Sequence, residues 1–140
     1  MVLRRLFAIG LPLACALGVF VLGSLPAGTG PPRVNDKVAH FVVFAFVAVS
    51  AWPASGIVLQ GVARRTSADR VKPSLFLMLL LSAGYATGIG ALLEVLQSTL
   101  PHRTAEWGDL LADVLGAIFG AWIALRVTKW QRRFGAVDRA

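Results

Sequence analysis

Four long apolar stretches constrain this chain more than anything else in it: Leu6 to Leu25, Val38 to Gln60, Ser74 to Gln97, and Leu110 to Val127. Each has the roughly 20 residues that a helix needs to cross a hydrocarbon core about 30 Å thick. They predict an all-α membrane protein with four transmembrane helices. The spans use most of the 140 residues, which leaves no room for a separate soluble unit. A single domain over residues 1–140 is therefore expected. Composition agrees, since 56% hydrophobic residues against 15% charged ones is too apolar for a soluble domain of this size.

The chain carries a net charge of +7, and the positions of the charges say what it is for. Arg4 and Arg5 precede the first span. Arg64, Arg65, Arg70 and Lys72 lie between the second and third, and Arg126, Lys129, Arg132, Arg133 and Arg139 follow in or after the fourth. Only Arg33, Lys37 and Arg103 fall at the other ends. Because basic residues are retained in the cytoplasm, both termini and the middle loop are expected there. The basic excess then meets anionic lipid headgroups rather than nucleic acid. The acids Asp36, Glu94, Glu106, Asp109 and Asp113 fall at or near the opposite, outer face.

Taken in order, the first span is uncharged and begins as an uncleaved signal-anchor would. Its Cys15 has no second cysteine to bond with. Pro26, Gly28, Gly30, Pro31 and Pro32 predict a stiff outer connector. It leads into N-D-K-V-A-H-F, where Asn35 or Asp36 can cap the second helix and Lys37 can reach the headgroups. His40 sits one turn inside the apolar run, on the face of Asp36 and Lys37.

Polar chemistry concentrates between Glu94 and Gly120. An ionised side chain at a bilayer centre costs about 2.5–3.5 kcal/mol on insertion scales, so intramembrane acids mark a site or a fixed pair. In the third span Gly84, Gly88, Ala91 and Glu94 follow helical spacing, with Gln97 one turn further. In the fourth, Asp109, Asp113, Gly116 and Gly120 share a face. Two glycine stripes packed against each other would set Glu94 and Gln97 opposite Asp109 and Asp113. Arg103, in the connector that begins at Pro101, is the expected counter-charge to these acids or the grip for an anionic ligand. Trp107 and Trp130 flank the last helix about 34 Å apart, as interfacial anchors.

These residues together resemble the VanZ-like family of small membrane proteins, associated with low-level resistance to the glycopeptide teicoplanin. The family pattern has an acid-lysine pair and a histidine opening one helix, E-x-x-Q, a proline and an arginine. An acid then opens a last helix with two downstream glycines. Asp36, Lys37, His40, Glu94, Gln97, Pro101, Arg103, Asp109, Gly116 and Gly120 fit it, and residues 35–122 carry the resemblance. One position departs: the family commonly has asparagine where this chain has Asp113. An ionised aspartate only accepts hydrogen bonds, so protonation, His40, Arg103 or a cation has to compensate.

The resemblance implies a multi-pass protein of the bacterial cytoplasmic (inner) membrane whose outward polar cluster binds or acts on cell-envelope components and influences teicoplanin susceptibility. Its ligand-facing residues would be Asp36, Lys37, His40, Glu94, Gln97, Arg103, Asp109 and Asp113, and the expected partners are the bilayer and lipid-linked envelope precursors or a lipoglycopeptide. The alternative is a membrane-embedded enzyme on a lipid-linked substrate, with Glu94, Asp109 and His40 as acid-base groups. No cofactor is implied. Asp, His and Glu could hold a divalent ion, but no tight ligand motif such as H-E-x-x-H is present, and no metal is expected. A proton-linked carrier is disfavoured, because four spans leave little room for a pathway.

Overall fold

A computed structural model of the protein describes residues 2–26, 35–66 and 72–134. The glycines and prolines expected at positions 28–32, with Arg33, Asp69, Arg70, Asp138 and Arg139, lie outside the described residues. Four helices account for most of the rest: α1 (Val2–Gly23), α2 (Asp36–Arg65), α3 (Leu75–Thr99) and α4 (Trp107–Phe134). Each is long and apolar enough to cross a membrane, and no strand occurs among the described residues. The expected spans lie largely within them. α2 and α4 extend furthest beyond expectation, because a helix can continue through polar flanks such as Arg64 and Arg65 after the apolar run ends.

Helix starts follow local chemistry. Asn35 accepts a hydrogen bond from the Lys37 amide at 3.0 Å and caps α2. Ser74 does the same for α3 through the Leu77 amide at 3.4 Å. Each satisfies one of the amides that lack an intrahelical partner. Pro12 and Pro53 lie inside α1 and α2 without ending them.

The helices run alternately up and down. α2 is central: it packs most extensively on α4, then on α3 and α1, while α1 rests on α2 and α3 alone. The interior is built of small residues around a few large ones, with Ala48, Ala86, Ala117 and Ala121 beside Phe44, Val47 and Leu93. Outward-facing Leu6, Phe7, Leu17, Phe46, Phe76 and Leu92 are more than half exposed, as lipid-facing side chains of a membrane bundle should be.

The glycine seam lies elsewhere than expected. A Cβ on Gly116 would collide with the carbonyl oxygen of Phe41, and one on Gly120 with that of Ala45. Both glycines thus serve a close approach of α4 to α2, which run parallel and are joined again where Trp52 Nε1 donates to Thr128 Oγ1 at 3.0 Å. Gly84 and Gly88 face outward, and a Cβ on either would meet nothing within 4 Å. The α3–α4 contact uses Gly90 instead, whose Cβ would stand 2.6 Å from Asp113 Oδ2. A small-residue stripe permits close approach in lipid but does not name the partner helix. Two equally good stripes can therefore point to different neighbours.

Candidate functional site

The up-and-down arrangement brings four helix termini together at one end: the C-termini of α1 and α3 and the N-termini of α2 and α4. The acid-rich residues gather there. The basic residues Arg4, Arg5, Arg64, Arg65, Lys72, Lys129, Arg132 and Arg133 belong to the opposite ends.

From α2, Lys37 Nζ reaches across to α4 and pairs with Asp109 Oδ1 at 3.0 Å and with Glu106 Oε2 at 3.1 Å. One turn deeper, His40 Nδ1 lies 2.8 Å from Asp113 Oδ1. The two pairs sit one above the other because Lys37 and His40, like Asp109 and Asp113, are about one helical turn apart on their own helices. From α3, Glu94 Oε2 accepts a hydrogen bond from the Glu106 amide at 3.0 Å, which satisfies a donor at the start of α4. Glu94 is 8% exposed and Asp113 fully buried at 0%. Their remaining oxygens, Glu94 Oε1 and Asp113 Oδ2, are buried without a hydrogen-bond partner among the described residues.

Gln97 and Arg103 have partners other than those expected. Arg103 was the sequence-based counter-charge to Glu94 and Asp109, but its Nε donates to the Leu25 carbonyl at 2.7 Å. Lys37 takes the role of counter-charge. Gln97 turns from the acids and donates to the Gly23 carbonyl at 3.0 Å. His102 Nε2 lies 2.9 Å from the Ser24 carbonyl. Three consecutive carbonyls at the end of α1 are thus held from α3 and its following turn. The carbonyls that α1 leaves unpaired at its C-terminus supply these acceptors.

Two residues that sequence reasoning did not single out belong to the cluster, Glu106 and His102. Glu106 had a signal: its carbonyl accepts the amides of Asp109 and Leu110, so it starts the helix, where acids are favoured. For His102 there is none, because its partner is a main-chain carbonyl.

These residues border a cavity of about 350 Å³ lined by Asp36, His40, Gln97, Pro101, His102, Arg103, Thr104, Glu106 and Asp109. A second, apolar groove of about 540 Å³ runs from it along α1 and α2. Its walls include Cys15, Gly18 and Leu22 on one side and Val42, Val43 and Phe46 on the other. Asp36, His40, Gln97 and Arg103 line both spaces, so the polar and apolar compartments adjoin.

Chemically the cluster offers an imidazole held by a buried carboxylate, an excess of acids over fixed cations, and two groups of converging donors. Asp36, His40 and Asp109 form the outer group and His40, Glu94 and Asp113 the inner, with one donor atom from each residue lying within 4.8 Å of the others in its group. No curated protein and no solved structure matches the chain. The family model described as VanZ/LLP1 matches residues 11–128, which takes in α2 and α3 entirely, most of α4 and every residue of this cluster. The chain is a multi-pass membrane protein of the VanZ-like family.

Proposed function

We propose that the protein binds an amphiphilic component of the bacterial cell envelope, a lipid-linked wall precursor or a lipoglycopeptide, and thereby influences susceptibility to teicoplanin. The protein sits in the cytoplasmic membrane with the cavity facing outward. Support for this comes from one observation above the rest, the sharing of Asp36, His40, Gln97 and Arg103 by the polar cavity and the apolar groove. A molecule with an anionic or hydrogen-bonding head and an acyl or prenyl tail fits that pair of compartments. Its tail enters between α1 and α2, whose outer surfaces already face lipid, and its head meets the guanidinium of Arg103. Arg103 uses only Nε on Leu25, which leaves the forked Nη side of the group for a phosphate or carboxylate.

The test is photo-crosslinking of full-length protein in nanodiscs with a polyprenyl-pyrophosphate-linked sugar bearing a diazirine in its tail. Crosslinks should fall on groove residues such as Val43 and Leu22. Val43→Trp should reduce them at least several-fold. Crosslinks scattered evenly over lipid-facing positions would overturn the reading. In a defined host, the gene should shift susceptibility to teicoplanin, which carries an acyl chain, more than to vancomycin. Equal susceptibility with and without the gene removes the resistance role for this member.

A second reading is favoured by the His40–Asp113 pair. A buried carboxylate that fixes an imidazole at the edge of a cavity is the arrangement by which enzymes orient a general base. Glu94 and Asp109 are weaker candidates, because each has an oxygen committed, to the Glu106 amide and to Lys37. Turnover of a lipid-linked substrate that is abolished by His40→Gln and retained by Glu94→Gln would establish this reading with His40 in the role.

A further inference from the structure

We propose that His40, Glu94 and Asp113 bind one divalent transition-metal ion, of the zinc or manganese kind, at the floor of the cavity. The residues come from α2, α3 and α4, so the ion would join the three helices at their common end. Two buried carboxylate oxygens without partners, Glu94 Oε1 and Asp113 Oδ2, carry the argument. Buried polar atoms are nearly always paired, and a buried carboxylate with an empty lone pair is among the most costly exceptions. One cation would account for both oxygens at once.

Neither fixed cation nearby does so. Lys37 is paired with Glu106 and Asp109, and Arg103 donates to the Leu25 carbonyl. The surface of α3 also carries no side chain where it meets Asp113. A Cβ at Gly90 would lie 2.6 Å from its Oδ2, so the glycine keeps room for a carboxylate whose second oxygen has no protein partner.

The geometry is close to that of a bound ion. Each residue offers a donor atom within 4.8 Å of the other two. Even if all separations had that value, each donor would stand about 2.8 Å from the common centre and would need to move inward by about 0.7 Å to make a ~2.1 Å bond. One imidazole nitrogen with carboxylate oxygens suits zinc, manganese or ferrous iron better than magnesium or calcium, which prefer all-oxygen sites. Three protein ligands leave coordination positions open, and of the three His40 is the one that lines the cavity.

The ion would also deepen the proposed function, and to that extent this inference rests on it. Five carboxylates line or underlie the site, Asp36, Glu94, Glu106, Asp109 and Asp113, against the two fixed cations Lys37 and Arg103. An anionic headgroup entering there meets repulsion that a divalent ion beneath the cavity would greatly reduce.

The binding experiment uses no lipid, so it stands or falls apart from the headgroup reading. Tag-free full-length protein in detergent, stripped with EDTA and dialysed, is titrated with Zn²⁺ and separately with Mn²⁺, with stoichiometry read by metal analysis. The expected result is saturable binding of one ion per chain that survives millimolar Mg²⁺. Zn²⁺ should also raise the thermal unfolding midpoint. Glu94→Gln and Asp113→Asn should each weaken binding at least tenfold, and a folded state is checked by the unfolding transition of each variant without metal. If Asp113→Asn fails to fold, Glu94→Gln decides. No saturable binding to the folded wild type overturns the proposal. Binding that Mg²⁺ displaces, or that both variants retain, overturns it equally. Loss in Asp36→Asn with retention in Glu94→Gln moves the ion to the outer donor group and overturns this assignment. If Zn²⁺ binds as expected and the lipid crosslinks remain scattered, only the headgroup reading fails.

Discussion

At the residue scale, the most enclosed charged group of the cluster is Asp113. It is fully buried, and its Oδ1 lies 2.8 Å from His40 Nδ1. An ionised carboxylate can only accept hydrogen bonds, and the imidazole beside it supplies the matching donor. Stability should report the coupling. With EDTA present, His40→Ala should cost about 1–3 kcal/mol, because it removes the partner of a buried acceptor without removing the acceptor. Asp113→Asn should cost less, and the two changes together should be non-additive by about 0.5–3 kcal/mol. The measurement is the shift in thermal unfolding midpoint in detergent; strictly additive shifts would show that the pair is not coupled. His40, Glu94 and Asp113 were conspicuous in the sequence, because a charged or titratable group inside an apolar run is costly. Which of His40, Arg103, a proton or a cation would meet Asp113 was not legible. The expected ion pair between Arg103 and the acids rested on charge alone, while the bond that forms, to the Leu25 carbonyl, uses a group that every residue carries.

At the scale of elements, α2 and α4 form a locked pair. Gly116 and Gly120 lie against the main chain of Phe41 and Ala45, so substitution has no flexible side chain to push aside. Gly116→Ala and Gly120→Ala should each destabilise the protein by about 1–3 kcal/mol, the usual cost of overpacking. Gly84→Ala and Gly88→Ala add a methyl to open lipid-facing space and should be neutral or stabilise by up to about 1 kcal/mol through helix propensity. Reversible unfolding of the four variants in mixed micelles checks this; equal losses at all four positions would contradict the seam. The four helices and their approximate ends were readable from length and hydropathy because lipid allows so few alternatives. Which glycine stripe meets which helix was not readable, since that depends on how α2 is rotated within the bundle.

For the whole molecule, the described acids and most of the described bases gather at opposite ends of one bundle, with Trp107 and Trp130 exposed near the two ends of α4. If the basic end is cytoplasmic, a cysteine at Thr104 in a Cys15→Ala background should react with an impermeant maleimide from outside intact cells, and one at Gln131 should not. The reverse pattern would invert the assignment. The glycine seam bears on how such a molecule is made. α2 is complete at Arg65, but the helix it locks onto ends at Phe134. At about 5–20 residues per second of synthesis, roughly 3–14 seconds separate them. During that interval α2 lies in or beside the insertion machinery with Lys37 and His40 lacking Asp109 and Asp113. The polar cluster is therefore the last part of the protein to come into being, and a ribosome that stops before α4 leaves behind a membrane-inserted chain that could retain its spans but never acquires the site.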